Sequence, residues 1–249
     1  SEMRIKYKEP YWIMYKWDLD THHENQYVTK FNKTDVEEIR TLLYEDAYVI
    51  TCEVRLMDLY KKDNIFSIFG KPGKNLGLTY NSESKTLAFE FWSKSDKEDW
   101  DDFNFVSFNG VEPKDLNRPI KLSIVRKNNT FFLYVNFEVS NKLEFKNQLI
   151  DDYKYTGLFL GCANPGTPIE EHRHHGEFDI YHFSIVRGTS DIKVAKTIYE
   201  TEVEKLVSKT FYKDIFCLYN FKTVNNLGII FDESKNNYFL EKVPKEFVL

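Results

Sequence analysis

Across residues 11–187 apolar side chains recur at every second position in runs of strand length, and clusters of turn-forming residues separate the runs. That rhythm predicts short antiparallel strands. In Val49-Ile50-Thr51-Cys52-Glu53-Val54-Arg55-Leu56, the side chains of Ile50, Cys52, Val54 and Leu56 fall on one face. Residues 64–69 lead into Gly70-Lys71-Pro72-Gly73-Lys74, a turn supplied with both free and fixed φ, and Leu76, Leu78 and Tyr80 alternate beyond it. Asn81-Ser82-Glu83-Ser84-Lys85 turns the chain again. Leu87, Phe89 and Phe91 then point one way while Ala88, Glu90 and Trp92 point the other, as in a strand with one buried face. A polar loop follows over 94–102. Ile120, Leu122 and Ile124 alternate against Lys121 and Ser123, and after Arg126-Lys127-Asn128-Asn129-Thr130 an aromatic run at 131–135 returns, which predicts a hairpin with Asn at positive φ.

Helical signals are few. Thr34-Asp35-Val36-Glu37 has capping-box spacing ahead of Ile39, Leu42 and Leu43, which predicts a short helix before the first long strand. Further on, Ser190 or Asp191 can cap a stretch in which Ala195, Ile198, Tyr199, Val203 and Leu206 share a helical face, so this stretch should pack on the strands. Beyond residue 211 the pattern turns to β again at 215–221, 228–231 and 238–240. A chain of 249 residues can bury one large core. The expected division is therefore a sandwich over 1–210 and a β-rich extension over 211–249, which either packs on the sandwich or begins a further repeat.

Composition narrows the class. Aromatic residues make up 16% of the chain, so it should fold. The formal charge of −5 gives no basic field for nucleic acid, and no apolar run is long enough to enter and span a bilayer. Cys52, Cys162 and Cys217 are too far apart for a zinc or redox pair, and Cys52 lies on an apolar strand face as a buried thiol. Ser1-Glu2-Met3-Arg4 has no signal-peptide character. Native targeting could lie outside the chain, so an extracellular or surface-associated location stays open.

Three segments together resemble the laminin-G-like jelly rolls of the concanavalin A-like lectin and glucanase superfamily. The hairpin over 120–139, with Tyr134-Val135-Asn136, is similar to one whose second strand commonly ends Tyr-Val-Asn-Gly; here Phe137 stands in the glycine's place. Gly157-Leu158-Phe159-Leu160-Gly161-Cys162-Ala163-Asn164-Pro165-Gly166 looks like the family's strand ending in Ile-Gly and its loop of small residues. Gly176-Glu177-Phe178-Asp179-Ile180-Tyr181-His182-Phe183-Ser184-Ile185 resembles the family's closing strand. The resemblance spans roughly residues 45 to 210 and implies an all-β, two-sheet antiparallel jelly-roll sandwich with one or two short helices and a C-terminal extension. Leu218-Tyr219-Asn220-Phe221 and Ile230-Phe231-Asp232-Glu233-Ser234 look like the opening of another such domain.

Candidate chemistry is sparse. Glycoside hydrolases on this fold place carboxylates two residues apart on one strand, and Glu177-x-Asp179 begins that way, but Tyr181 stands where the third would be. Glu170-Glu171-His172-Arg173-His174-His175 concentrates imidazoles; His172 and His174 could converge on a metal or act as a pH-responsive pair, and a polar loop is the ordinary alternative. Lys94-Ser95-Asp96-Lys97-Glu98-Asp99-Trp100-Asp101-Asp102 offers Asp99, Asp101 and Asp102 as oxygen ligands for calcium, the one cofactor entertained. It could equally be a solvated loop with Trp100 tucked inward. Trp92 and Trp100 are the best candidates for stacking on a sugar, with His172, His174 and Tyr181 as further ligand contacts. No phosphate loop, nucleophile elbow or paired-cysteine motif is present. The leading expectation is a non-catalytic module that binds a glycan or glycosylated partner. A protein-interaction or structural domain is the alternative, and a glycan-degrading enzyme the second alternative.

Overall fold

The alternating runs become strands in the computed structural model, which describes residues 2–6, 8–13, 39, 41–56, 63–68, 76–81, 86–115, 117–150, 158–162, 175–221 and 228–243. In chain order they are β1 (Met3–Ile5), β2 (Tyr11–Ile13), β3 (Ala47–Leu56), β4 (Asp63–Ile68), β5 (Leu76–Asn81), β6 (Thr86–Lys94) and β7 (Asp101–Ser107). They continue as β8 (Ile120–Lys127), β9 (Thr130–Val135), β10 (Glu138–Glu144), β11 (Leu158–Leu160), β12 (Phe178–Arg187), β13 (Ile215–Asn220) and β14 (Leu240–Lys242). Two seven-stranded sheets result: β1-β12-β3-β8-β9-β10, with β13 also beside β12, and β14-β2-β11-β4-β5-β6-β7. Every pairing is antiparallel. The protein is an all-β sandwich with short helices, as its periodicity predicts.

The core forms where the two inner faces meet. Ile50, Cys52, Val54 and Leu56 of β3 lie in it with Leu87, Phe89 and Phe91 of β6. Phe131 of β9 joins the layers, its ring centroid 4.8 Å from both Phe89 and Phe91 and 5.3 Å from Phe145. Such aromatic pairs add about 0.5–1.5 kcal/mol each beyond the area they bury. Cys52, Cys162 and Cys217 are buried free thiols.

Two turns show how local chemistry sets the register. Asn128 takes φ 54° between β8 and β9. Between β9 and β10, Asn136 (φ 50°) and Phe137 (φ 66°) both lie in the left-handed region, so the two-residue turn forms without the glycine. The strain at Phe137 is offset by packing of its ring 5.7 Å from that of Tyr199.

The outer face of the first sheet is covered. Helices α1 (Ile192–Glu200) and α2 (Val203–Leu206) lie on it, and Asp191 caps α1 by accepting from the Lys193 amide at 2.9 Å. Ser190 instead donates to the Arg126 carbonyl. Ala195, Ile198 and Leu206 bury against Val49, Val125 and Val186, a second apolar cluster. The helical stretch breaks at Thr201, which is extended (φ −107°, ψ 135°). Upstream, Leu42 and Leu43 are buried in a single 3-10 turn, Thr41–Tyr44; the capping box at 34–37 lies outside the described residues, as do the turns at 70–74 and 82–85.

The tail divides between the sheets, β13 pairing with β12 and β14 with β2. The segment 232–238 ahead of β14 is tied to β13 by the buried Asp232, which accepts from the amides of Leu218, Ser234 and Tyr238 and from the Ser234 hydroxyl at 2.8–2.9 Å. Burial raises the Asp232 pKa, and those hydrogen bonds oppose the rise.

Candidate functional site

β7 ends its sheet, and its two central outward positions are aromatic. Asp101, Phe103, Phe105 and Ser107 alternate to the outer face, whereas Val106 turns into the core. Register sets Phe103 opposite Trp92 and Phe105 opposite Glu90. The Trp92 and Phe103 rings lie 5.2 Å apart, and Phe103 and Phe105 6.2 Å apart. Phe103 is 51% and Phe105 48% exposed with Trp92 half-buried beside them, so the three rings form an aromatic strip that opens to solvent toward the sheet edge.

The strip is rigidly founded. Phe91, next to Trp92 on the opposite face, is fully buried in the Phe89–Phe131–Phe145 cluster. Past the end of β5, residues 148–150 take over as neighbour to β6: the Ile150 amide donates to the Trp92 carbonyl at 3.1 Å, and the Lys94 amide to the Gln148 carbonyl at 2.8 Å. At the tip of the hairpin, the Asp96 carboxylate binds Lys146 at 2.7 Å and Asn147 at 3.1 Å. The Lys146 hydrogen bond lowers the Asp96 pKa.

Trp100 is 67% exposed in that tip, with the Lys97 ammonium 5.7 Å from its ring, so it is not tucked inward. Asp99, Asp101 and Asp102 do not converge. Asp101 and Asp102 are consecutive on β7 and point to opposite faces, and Asp99 sits apart at φ 63°. Among the described residues, no group of three or more His, Cys, Asp or Glu side chains is placed to hold a metal ion. His172 and His174 lie outside the described residues.

The closing strand does not build an open carboxylate pair. Arg4 of β1, Asp179 of β12 and Arg55 of β3 are direct cross-strand partners in one row. Asp179 is 1% exposed and accepts hydrogen bonds from both guanidinium groups, from Arg55 Nε at 2.8 Å. Burial alone would raise its pKa, but the bonds from Arg4 and Arg55 outweigh it and hold the carboxyl below its ordinary value. Glu177 is drawn toward Arg4 at 3.7 Å. Tyr181 is the extra residue of a β-bulge, where the register steps from Ile180 opposite Val54 to His182 opposite Glu53. Its hydroxyl donates to Glu2 at 2.6 Å, far in sequence from the β6–β7 strip; burial, then that bond, pushes its pKa up to about 12.

The bulge changes which side chains face inward, from Phe178 and Ile180 to Phe183 and Ile185. His182 and Ser184 thereby turn outward beneath α1, in a polar layer. The His182 ring bonds the Ser184 hydroxyl at 2.8 Å, Thr51 bonds Ser123 at 2.9 Å, and Tyr199 donates to Glu53 at 2.8 Å. Burial lowers the His182 pKa to about 4.

A second concavity opens at the ends of β3, β12 and β13. It is a groove of about 560 Å³ whose lining includes Asp46, Arg187, Lys213, Asp214, Phe216 and Asn236. Phe216 is the bulged residue of β13, where the register shifts between Ile185 and Val186 of β12, and it is buried. The Arg187 guanidinium stacks 5.7 Å from its ring and bonds Glu45 and Thr41.

Sequence reasoning missed Phe103 and Phe105. The signal was there, because Phe103, Phe105 and Val106 cannot share a face on a strand, and the two phenylalanines fall on Trp92's side once β6 and β7 pair. The groove had no such signal, being assembled from four separated segments.

Fold and site define a β-sandwich with an open aromatic edge. No family model matches the chain, and no curated protein matches it in sequence. Among solved structures it is similar to a candidate carbohydrate-binding protein from Bacteroides ovatus, with a TM-score of 0.55 and 12% identity over 96% of this chain. The chain spans 59% of that protein's length. Looser likenesses include the CBM40 domain of the Ruminococcus gnavus IT-sialidase, bound to α2,3-sialyllactose (TM-score 0.44, 11% identity, 62% of this chain and 83% of that one). Another is the binding domain of botulinum neurotoxin serotype D (TM-score 0.45, 14% identity, 65% and 38%). At these identities the likeness establishes the sandwich fold, and the last two superpose too loosely to inform more.

Proposed function

We propose that the chain is a non-catalytic recognition module of the concanavalin A-like, laminin-G-like jelly-roll kind, which binds a glycan or glycosylated partner along the edge of β6 and β7. The carrying observation is the strip of half-buried Trp92 on β6, whose other face is locked into the core, with Phe103 and Phe105 beside it on β7, open to solvent. Aromatic faces stack on the apolar faces of sugar rings, and Glu90 and Asp101 beside them supply acceptors for hydroxyl groups. The fold shared with a candidate carbohydrate-binding protein supports this by analogy, a weaker warrant than the site itself.

Catalysis is not part of this proposal. A glycosidase needs one carboxyl free to take a proton and another free to attack or to activate water. Asp179, clamped between two arginines and shielded from solvent, is suited to neither. Residues 211–249 are read as belonging to the sandwich, because β13 and β14 join opposite sheets.

One observation favours the alternative of a protein partner: exposed phenylalanines on an edge strand also present backbone groups to which another strand can add. One experiment decides between them. Binding to a glycan array should fall at least tenfold in Trp92→Ala and Phe103→Ala, with the melting temperature unchanged. An array without signal, together with capture of an unglycosylated protein through the same residues, would overturn the glycan reading.

A further inference from the structure

The groove at the ends of β3, β12 and β13 lies on the far side of the sandwich from the aromatic edge. β13 flanks β12 at one margin of the first sheet, whereas β10 at the other margin lies against β7 through the bond from Asn141 to the Ser107 carbonyl at 3.0 Å. Its chemistry also differs. The lining carries three acids, Glu45, Asp46 and Asp214, and three bases, Arg187, Lys213 and Lys235. Glu45 and Arg187 neutralise one another. The side chains of the remaining four have no hydrogen bond or ion pair among the described residues.

That balance selects a ligand. An anion drawn to Lys213 and Lys235 meets Asp46 and Asp214, so the groove has no net field to recruit it. A metal ion would need converging oxygens, and no such group exists among the described residues. An apolar molecule would bury charges without partners. An uncharged sugar fits, since each hydroxyl both donates and accepts: the carboxylates take its protons and the ammonium groups bond its oxygens.

The walls are set before any ligand arrives. Asp232 ties the loop bearing Lys235 and Asn236 to β13 through the amides of Leu218, Ser234 and Tyr238. Asn236 donates to the Phe216 carbonyl at 2.9 Å, leaving its own carbonyl oxygen as an acceptor. Arg187, fixed on Phe216, floors the groove. Such preorganisation reduces the ordering that binding must impose.

We propose that this groove is a second binding site, for an uncharged saccharide held through its hydroxyls by Asp46, Lys213, Asp214 and Lys235. The proposal rests on the glycan reading and adds the class of sugar and a location independent of the aromatic strip. The test is site-resolved amide NMR of the full chain titrated with neutral probes (maltopentaose, cellopentaose, xylopentaose, mannopentaose) and acidic ones (trigalacturonate, a heparin tetrasaccharide, inorganic phosphate). A neutral probe is expected to shift the Gly188, Lys213 and Asn236 amides. Asp214→Ala and Lys235→Ala should each weaken that binding at least fivefold without lowering the melting temperature, and Trp92→Ala should leave it intact. Shifts at Trp92 and Phe103 alone would sustain the glycan reading and overturn the groove. Groove shifts only with acidic probes would overturn the uncharged class. Silence with every probe would overturn the proposal outright.

Discussion

Replacing Asp179 by Asn is the sharpest test of how the N-terminal strand is held. The substitution keeps the shape but removes the charge and turns an amide N–H₂ toward one of two arginines that can only donate. Hydrogen bonds to charged groups contribute about 1.5–3 kcal/mol each. Arg4 and Arg55 remain partly exposed, so water takes up the donors that are freed, and the expected loss is roughly 2–3 kcal/mol instead of the full sum. For a chain of this size that lowers the melting temperature by roughly 4–12 °C. The sign with pH follows from the depressed folded pKa. The stabilisation is complete above the unfolded value of about 3.9 and is lost as pH falls through the folded one. Urea unfolding of both proteins at pH 7, repeated in steps toward the acid limit of the native state, should show the difference at pH 7 and its decline below about pH 4. A difference under about 0.5 kcal/mol at pH 7, or one that persists unchanged into acid, would refute the reasoning.

Two further substitutions probe other parts of the frame. Gly161 has φ 90°, and a Cβ there would stand 2.5 Å from Ile5 Cγ2, so Gly161→Ala should destabilise by at least about 2 kcal/mol in urea unfolding; a neutral result would mean that β1 and the end of β11 are not in this contact. His182, with its pKa lowered to about 4, is neutral when folded, whereas the unfolded chain takes up a proton below about 6.5. Stability should therefore fall by up to about 3 kcal/mol as pH drops through that window, and His182→Gln should flatten the slope; parallel slopes for the two proteins would remove the effect from His182.

Strand periodicity carries furthest where each face has one environment. Ile50, Cys52, Val54 and Leu56, and Leu87, Phe89 and Phe91, are each buried on the face their spacing assigns, and Trp92 stands on the other side. Alternation fails where the chain leaves the strict pleat. In β12 the bulge at Tyr181 inverts the pattern halfway along, so no single period places both Ile180 and Phe183 in the core. A loop has no face rule at all, and Trp100 is exposed because six residues past the end of β6 nothing in the pattern governs its direction. The groove is invisible for a different reason. Asp46 and Asp214 are 168 positions apart, and only the pairing of β3 and β13 on either side of β12 brings them to one rim.

The distribution of surface between the two sheets narrows where a ligand can sit. On the first sheet Val49, Val125 and Val186 would be a flat apolar outer face if bare, and α1 and α2 cover it, with Tyr199, Glu53 and Lys121 closing the layer beside them. Glu53 lies under a tyrosine hydroxyl and near an ammonium group, so the polar residues in that layer are structural partners of the helix, not free contacts. On the second sheet Trp12, Phe159, Thr79 and Ala88 are buried although they alternate outward, and exposure begins at Trp92 and reaches about half at Phe103 and Phe105. Solvent therefore reaches aromatic side chains at the edge where β7 ends the sheet, the position at which a ligand can approach rings and backbone together. The side chains at the centre of both outer faces are buried, whereas the edge and the end groove are open.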